Sequence, residues 1–279
     1  MNRKQLFLLL SIFSSLFCSS SSMAWLIEQS YDSQGLGDTC ENWQTTKSYV
    51  TDIQSYSGSN SCLLHINAGQ TGFGVWGGIL SHPSPLYRGD EVWVRVRTFF
   101  PTSFNYDSSG EGNHLKFLRL HTRSDSNNNY GYDDIYIDPE ASSLAFRFIY
   151  EGDPVWSNIG STDDKIKKGV WETYEYYVKF DSISKDNGGN AIVRFWKNGE
   201  LLKEVTNLTT LANSNAYSES TYIFTYWNGA SPQTQQMYLD DLVITSSPPG
   251  ETDSHGNKYI GVSGGYIAVP KAPSPLYVQ

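Results

Sequence analysis

A two-residue alternation of apolar and polar side chains recurs through the middle of this chain, and that period belongs to β-strands with one face buried. In residues 91–99, Val92, Val94 and Val96 fall on one face and Trp93, Arg95 and Arg97 on the other. Residues 115–123 set Lys116, Leu118 and Leu120 against Phe117, Arg119, His121 and Arg123. Residues 134–138 set Ile135 and Ile137 against Tyr136, and residues 144–150 set Phe146 and Phe148 against Arg147. Further strands are expected over 171–180, 191–197, 221–227 and 236–245, punctuated by turn signals such as Arg88-Gly89-Asp90 and Asn198-Gly199. No helical period lasts beyond two turns, and no repeat is evident. Many short strands without interleaved helices describe an all-β sandwich or jelly roll.

The rest of the composition agrees. Of 279 residues, 39% are hydrophobic and 14% aromatic, enough to bury a core and exclude a mainly disordered chain. With 20 Lys+Arg against 29 Asp+Glu and no basic run, nucleic acid is not an expected partner.

The N-terminus carries Arg3 and Lys4, an apolar run from Leu6 to Phe17, and small residues up to Ala24. This describes a secretory signal peptide over 1–24, too short in its apolar part to span a bilayer, and no membrane partner is expected after cleavage. The mature chain then carries 18 bases against 29 acids, a net charge of −11, and is expected to be secreted, extracellular or periplasmic. It keeps Cys40 and Cys62, which read as a disulfide in an oxidising compartment; a two-cysteine metal site lacks companion ligands at suitable spacing. One domain is expected over 25–247, with a Gly- and Pro-rich C-terminal tail over 248–279.

The polar faces of the strands are unusual. They gather Trp93, Arg95, Arg97, Arg119, His121, Arg123, Tyr136 and Arg147 in an acidic chain. Arginine forks bind carboxylate in two-point geometry, and aromatic rings stack on sugars. If these side chains line one curved sheet, an acidic polysaccharide is the expected partner. The competing reading pairs each arginine with an acid such as Glu91, Asp134 or Glu175 on a neighbouring strand.

Several phrases carry a resemblance: Gly89-Asp-Glu-Val-Trp-Val-Arg95, His114-Leu-Lys-Phe-Leu-Arg-Leu-His121, Gly131-Tyr-Asp-Asp-Ile-Tyr136 and Tyr238-Leu-Asp-Asp-Leu-Val-Ile244. Over about residues 60–247 the chain resembles the concanavalin A-like lectin/glucanase superfamily, particularly its secreted polysaccharide-lyase-like members. The resemblance implies a jelly-roll sandwich of two antiparallel sheets. It also implies β-elimination in a uronate-containing glycan, or alternatively non-catalytic binding by a lectin or laminin-G-like module.

Elimination needs a cation against the uronate carboxylate, a base for the neighbouring C–H and an acid for the leaving oxygen. His121 and Tyr136 are the candidate base and acid, with Arg119, Arg123 or Arg97 as the cation. Trp93, Arg95, Arg97, Arg123 and Arg147 are the candidate substrate-binding residues, and strand parity puts Lys116 on the opposite face. Glycoside hydrolysis is disfavoured: in Asp134-Ile-Tyr136-Ile-Asp138 the outer acids lie about 13 Å apart along a strand, whereas a retaining pair needs about 5–5.5 Å. No cofactor is implied, although Asp240-Asp241 or the loop at Asp107 suits a structural Ca²⁺.

Overall fold

The alternation builds two antiparallel sheets packed face to face. The computed structural model describes residues 24–40, 48–71, 76–106, 115–124, 129–137, 145–183, 187 and 189–263. Residues 1–23 of the expected signal peptide, the Asp107 loop and residues beyond 263 lie outside the described residues.

One sheet has eight strands. Its path runs β12 (Glu200–Leu208), β11 (Ala191–Lys197), β10 (Trp171–Lys179), β5 (Glu91–Phe99), β14 (Gln235–Thr245), β3 (Ser61–Ile66) and β2 (Ser48–Thr51), with β1 (Leu26–Gln29) pairing to β14. The other has six, in the order β4 (Gly78–Leu86), β13 (Tyr217–Trp227), β6 (Leu115–Arg123), β7 (Asn129–Ile137), β8 (Phe146–Tyr150) and β9 (Ser157–Ile159). A short hairpin of β15 (Glu251–Thr252) and β16 (Lys258–Tyr259) completes the fold. All pairings are antiparallel, and no α-helix occurs among the described residues. This is the expected jelly-roll β-sandwich.

The core lies between the sheets. Val92, Val94 and Val96 of β5 and Tyr174, Tyr176 and Val178 of β10 meet Phe117, Leu118 and Leu120 of β6 and Phe146 and Phe148 of β8 in one buried cluster. The Asn198-Gly199 turn joins β11 to β12 with both residues at positive φ, the conformation that two-residue hairpins demand. Cys40 and Cys62 form the expected disulfide, their Cα atoms 6.0 Å apart, tying the loop after β1 to β3.

The sequence pattern does not foresee two features. Residues 251–263 pack over the outer face of the eight-stranded sheet, where Ile260 joins Trp93, Tyr177, Trp196 and Val243 in a second apolar cluster. Simple parity does not hold in β6. Between Lys116 and Leu118 the pairing with β7 shifts by a bulge, so Phe117 and Leu118 are both buried in the core. A matching shift between Ile223 and Tyr226 turns Phe224 inward, and the Phe117 and Phe224 rings meet at 4.7 Å. Lys116 therefore shares the outer face with Arg119 rather than opposing it.

Candidate functional site

The outer face of the six-stranded sheet collects the candidate chemistry in cross-strand rows. Tyr226, Lys116, Tyr136 and Arg147 stand opposite one another on β13, β6, β7 and β8. Tyr222, Arg119 and Asp134 form the next row, then Ser220, His121 and Tyr132. Arg123 pairs with Tyr217 at the end of the strand.

Charge in the central rows is compensated within the site. Arg119 Nε donates to Asp134 Oδ1 at 2.7 Å, and the Arg119 guanidinium lies 3.6 Å from the centre of the Tyr132 ring. Lys116 pairs with Glu151 and lies 3.5 Å from Asp134 Oδ2. Arg119 and Asp134 are 2% and 0% exposed, so their pair is sealed from water, whereas the Glu151 side chain keeps 28% of its surface.

Burial pushes the Asp134 carboxyl up to about 6, against the opposing pull of Arg119 and Lys116. Glu151 is held below its ordinary value: burial acts upward, but the hydrogen bond and charge of Lys116 prevail. Burial disfavours the Arg119 cation, yet the Asp134 charge outweighs it and raises its pKa. The Tyr136 hydroxyl donates to Glu151 Oε1 at 3.2 Å, and burial beside Asp134 and Glu151 raises its pKa strongly. Burial likewise raises Tyr132. Both phenols hold their protons firmly.

His121 packs in a triad of rings, 4.8 Å from Tyr132 and 5.4 Å from Tyr222, which are 5.3 Å from each other. Its Nδ1 lies 3.6 Å from Glu219 Oε1, the same oxygen that accepts from Arg123 Nε. The Arg123 side chain is 28% exposed, which makes it the accessible cation beside the imidazole. At the other end of the face, the exposed Trp156 ring lies 5.6 Å from the Arg147 guanidinium and 5.3 Å from the Tyr136 ring.

The structure thus brings Arg119, His121, Arg123, Tyr136 and Arg147 to one face, but not in the expected pairing. Tyr136 stands opposite Lys116, while His121 stands opposite Tyr132, four residues earlier on β7 and about 13 Å away along the strand. Tyr132, Tyr222 and Tyr226 are not among the candidates the sequence offers, and Lys116 is expected from it on the opposite face. Tyr132 shares the alternation of Tyr136 and was legible in principle; the others depend on the two bulges and on β13 lying beside β6.

The remaining expected binding residues lie on the opposite side of the sandwich, beneath the C-terminal segment. Trp93 Nε1 donates to the Lys258 carbonyl at 3.0 Å and Arg95 Nη1 to that of Gly261 at 3.1 Å. Arg97 pairs with Asp241 at 2.6 Å and donates to the Val262 carbonyl at 2.7 Å, with its guanidinium 4.0 Å from the Tyr56 ring centre. Trp93, Arg95 and Arg97 are each 2% exposed or less. They anchor the segment and do not share a face with His121, as a single binding face would have required.

The Asp240-Asp241 pair suggested for calcium is also engaged. Asp240 accepts backbone N–H bonds from Tyr56, Ser57 and Asp241, and Asp241 accepts from Arg97 and the Ser57 hydroxyl. Among the described residues, no group of three or more His, Cys, Asp or Glu is arranged to hold a metal.

No protein-family model matches the sequence, and no curated protein is similar to it. Solved structures are similar in fold. An endo-β-1,4-glucuronan lyase from the fungus Trichoderma reesei superposes with a TM-score of 0.52 at 12% identity, covering 78% of this chain and 94% of its own. A variant of the alginate lyase Aly36B, in complex with alginate trisaccharide, gives 0.56 at 14%, covering 78% and 97%. A marine alginate lyase from Aplysia kurodai gives 0.52 at 10%, covering 71% and 86%. The chain shares the antiparallel β-sandwich fold of these polysaccharide lyases. At such identities the likeness concerns the fold alone.

Proposed function

We propose that the protein is a secreted polysaccharide lyase that cleaves a uronate-containing glycan by β-elimination on the outer face of its six-stranded sheet. The observation that carries this reading is the packing of His121 against both Tyr132 and Tyr222, with Arg123 sharing its Glu219 partner. An imidazole, proton-holding phenols and an accessible guanidinium within one sheet face are the groups that elimination requires.

In this scheme Arg123 engages the uronate carboxylate and makes the adjacent C–H acidic. His121 removes that proton, the glycosidic C–O bond breaks, and Tyr132 protonates the departing oxygen. The proton on the imidazole then returns to the phenolate through solvent. Arg119, stacked on Tyr132 and held by Asp134, positions the acid and stabilises its transient anion. Trp156, above Arg147 and Tyr136, offers a stacking surface for a neighbouring sugar. These steps need no cofactor. The Cys40–Cys62 disulfide and the leader-like N-terminus support action outside the cytoplasm.

The test is to incubate the mature protein with alginate, glucuronan, pectate and heparin and to follow ultraviolet absorbance from new carbon–carbon double bonds. Growth of that signal on at least one polymer, abolished by His121→Ala, is the expected result. A second reading, non-catalytic glycan binding, is favoured by one observation: Lys116, Arg119 and Arg123 each already carry an acidic partner. Retention on a polysaccharide gel without any unsaturated product would select it.

A further inference from the structure

The outer face of the eight-stranded sheet carries a second arrangement suited to a ligand, on the side of the sandwich away from His121. Trp171 of β10, Phe99 of β5 and Tyr238 of β14 stand directly opposite one another, and Leu63 and Tyr49 continue the row across β3 and β2. The Trp171 and Phe99 rings lie 5.7 Å apart and the Phe99 and Tyr238 rings 6.0 Å apart, so the row advances by roughly one strand spacing, about 4.8 Å, per ring. Tyr56, 44% exposed, stands edge-on to Trp171 at 6.0 Å.

Beside this row lies a cavity of about 410 Å³, lined by Gln54, His65, Phe99, Gln233, Gln236 and Tyr238 among others. Among the described residues, no Lys, Arg, Asp or Glu lines it. Its amides are held in place. Gln235 is fixed by both backbone polar groups of Asn105 and by Ser231, and Gln233 Nε2 donates to the Ser103 carbonyl and to Gln235 Oε1. Gln236 Nε2 donates to the Tyr238 hydroxyl at 2.9 Å. Among the described residues, no group donates to Gln233 Oε1 or Gln236 Oε1.

We propose that this face is a second glycan-binding site, taking a segment of uncharged polysaccharide and serving as an anchor distinct from the His121 face. The half-buried Trp171 and Phe99 rings and the exposed Tyr56 ring offer apolar surface at the scale of a disaccharide, with Tyr238 buried beside them. Amides, which both donate and accept, match hydroxyls that do the same. The absence of charged lining residues disfavours a uronate, whose carboxylate would find no cation: the nearby Arg97 is committed to Asp241 and the Val262 carbonyl. Strand rows set this geometry, so the site is formed before the ligand arrives.

The test is affinity electrophoresis of the full chain through gels containing soluble neutral glycans (hydroxyethyl cellulose, xylan backbone, galactomannan, laminarin), with alginate as the acidic comparison. Retardation on at least one neutral glycan is expected. Tyr56→Ala and Trp171→Ala should each weaken it about tenfold, equivalent to about 1.4 kcal/mol, and Gln236→Ala should weaken it as well. Tyr56 is exposed, so its variant keeps the test valid even if Trp171→Ala proves unstable; an unchanged melting temperature confirms the fold. His121→Ala should leave neutral-glycan retardation intact. The proposal is overturned if the wild type is retarded on no neutral glycan, if the Tyr56 and Gln236 variants migrate like the wild type, or if His121→Ala removes the retardation.

Discussion

Arg119 and Asp134 face each other across β6 and β7 with Nε and Oδ1 at 2.7 Å, both almost wholly without solvent. A buried ion pair contributes little as a pair, but removing one partner strands the other charge in a poor medium. Arg119→Ala should therefore destabilise the protein by about 3–5 kcal/mol. Adding Asp134→Asn should recover a substantial part of the loss. Denaturant unfolding of the single and double variants checks this, and an Arg119→Ala protein as stable as the wild type would contradict the sealed geometry.

Tyr132 and Tyr136 separate two versions of the proposed acid. The first is the cross-strand partner of His121; the second stands opposite Lys116. Tyr132→Phe should lower turnover by about 10²–10⁴-fold, while Tyr136→Phe should act mainly on KM. Steady-state rates of double-bond formation distinguish them. The reverse pattern would move the reaction to the Lys116 row.

Glu175 accepts backbone N–H bonds from Ile260 and Gly261 beneath the C-terminal segment. Burial raises its pKa from 4.5 to about 8, with the two backbone bonds and Arg95 only partly offsetting that shift. The folded state thus keeps a proton that the unfolded chain releases near 4.5. Its contribution to stability is fully present below about pH 4.5 and is lost as pH rises towards 8. Glu175→Gln should flatten the fall in melting temperature across that interval. A wild type and variant with parallel profiles would refute the assignment.

Residues 251–263 behave as a clasp. Trp196 Nε1 donates to Asp253 Oδ2 at 2.8 Å, and Ile260 closes the apolar cluster over Trp93 and Tyr177. Ending the chain after Ser247 should lower the melting temperature and raise the binding of a hydrophobic dye, because that face becomes open. Trp196→Phe, which loses the donor and part of the buried ring system, should cost more than the about 0.5–1.5 kcal/mol of the hydrogen bond alone. A shortened chain with wild-type melting would show the clasp to be ornamental.

The architecture was legible in the residue pattern alone. Alternation in β5, β7 and β8 depends only on the two-residue period of an extended chain, and a buried face enforces it from end to end. The sequence also identified Cys40 and Cys62 as a pair, and His121, Arg123 and Tyr136 as side chains turned away from the core. What it could not determine was which outer face each arginine belongs to. Trp93, Arg95 and Arg97 read like Arg119, His121 and Arg123 because parity distinguishes inside from outside but not one sheet from the other. Strand order, set by pairing between segments far apart in the chain, divides them between opposite sides of the sandwich. The bulges at Phe117 and Phe224 decided the rest: each adds one residue to a strand, inverts parity beyond it, and so delivers Lys116 to the Arg119 face. Such a slip leaves no mark on a hydrophobic pattern in which Phe117 and Leu118 are both apolar. Only the packed core, which takes in both side chains, could select it.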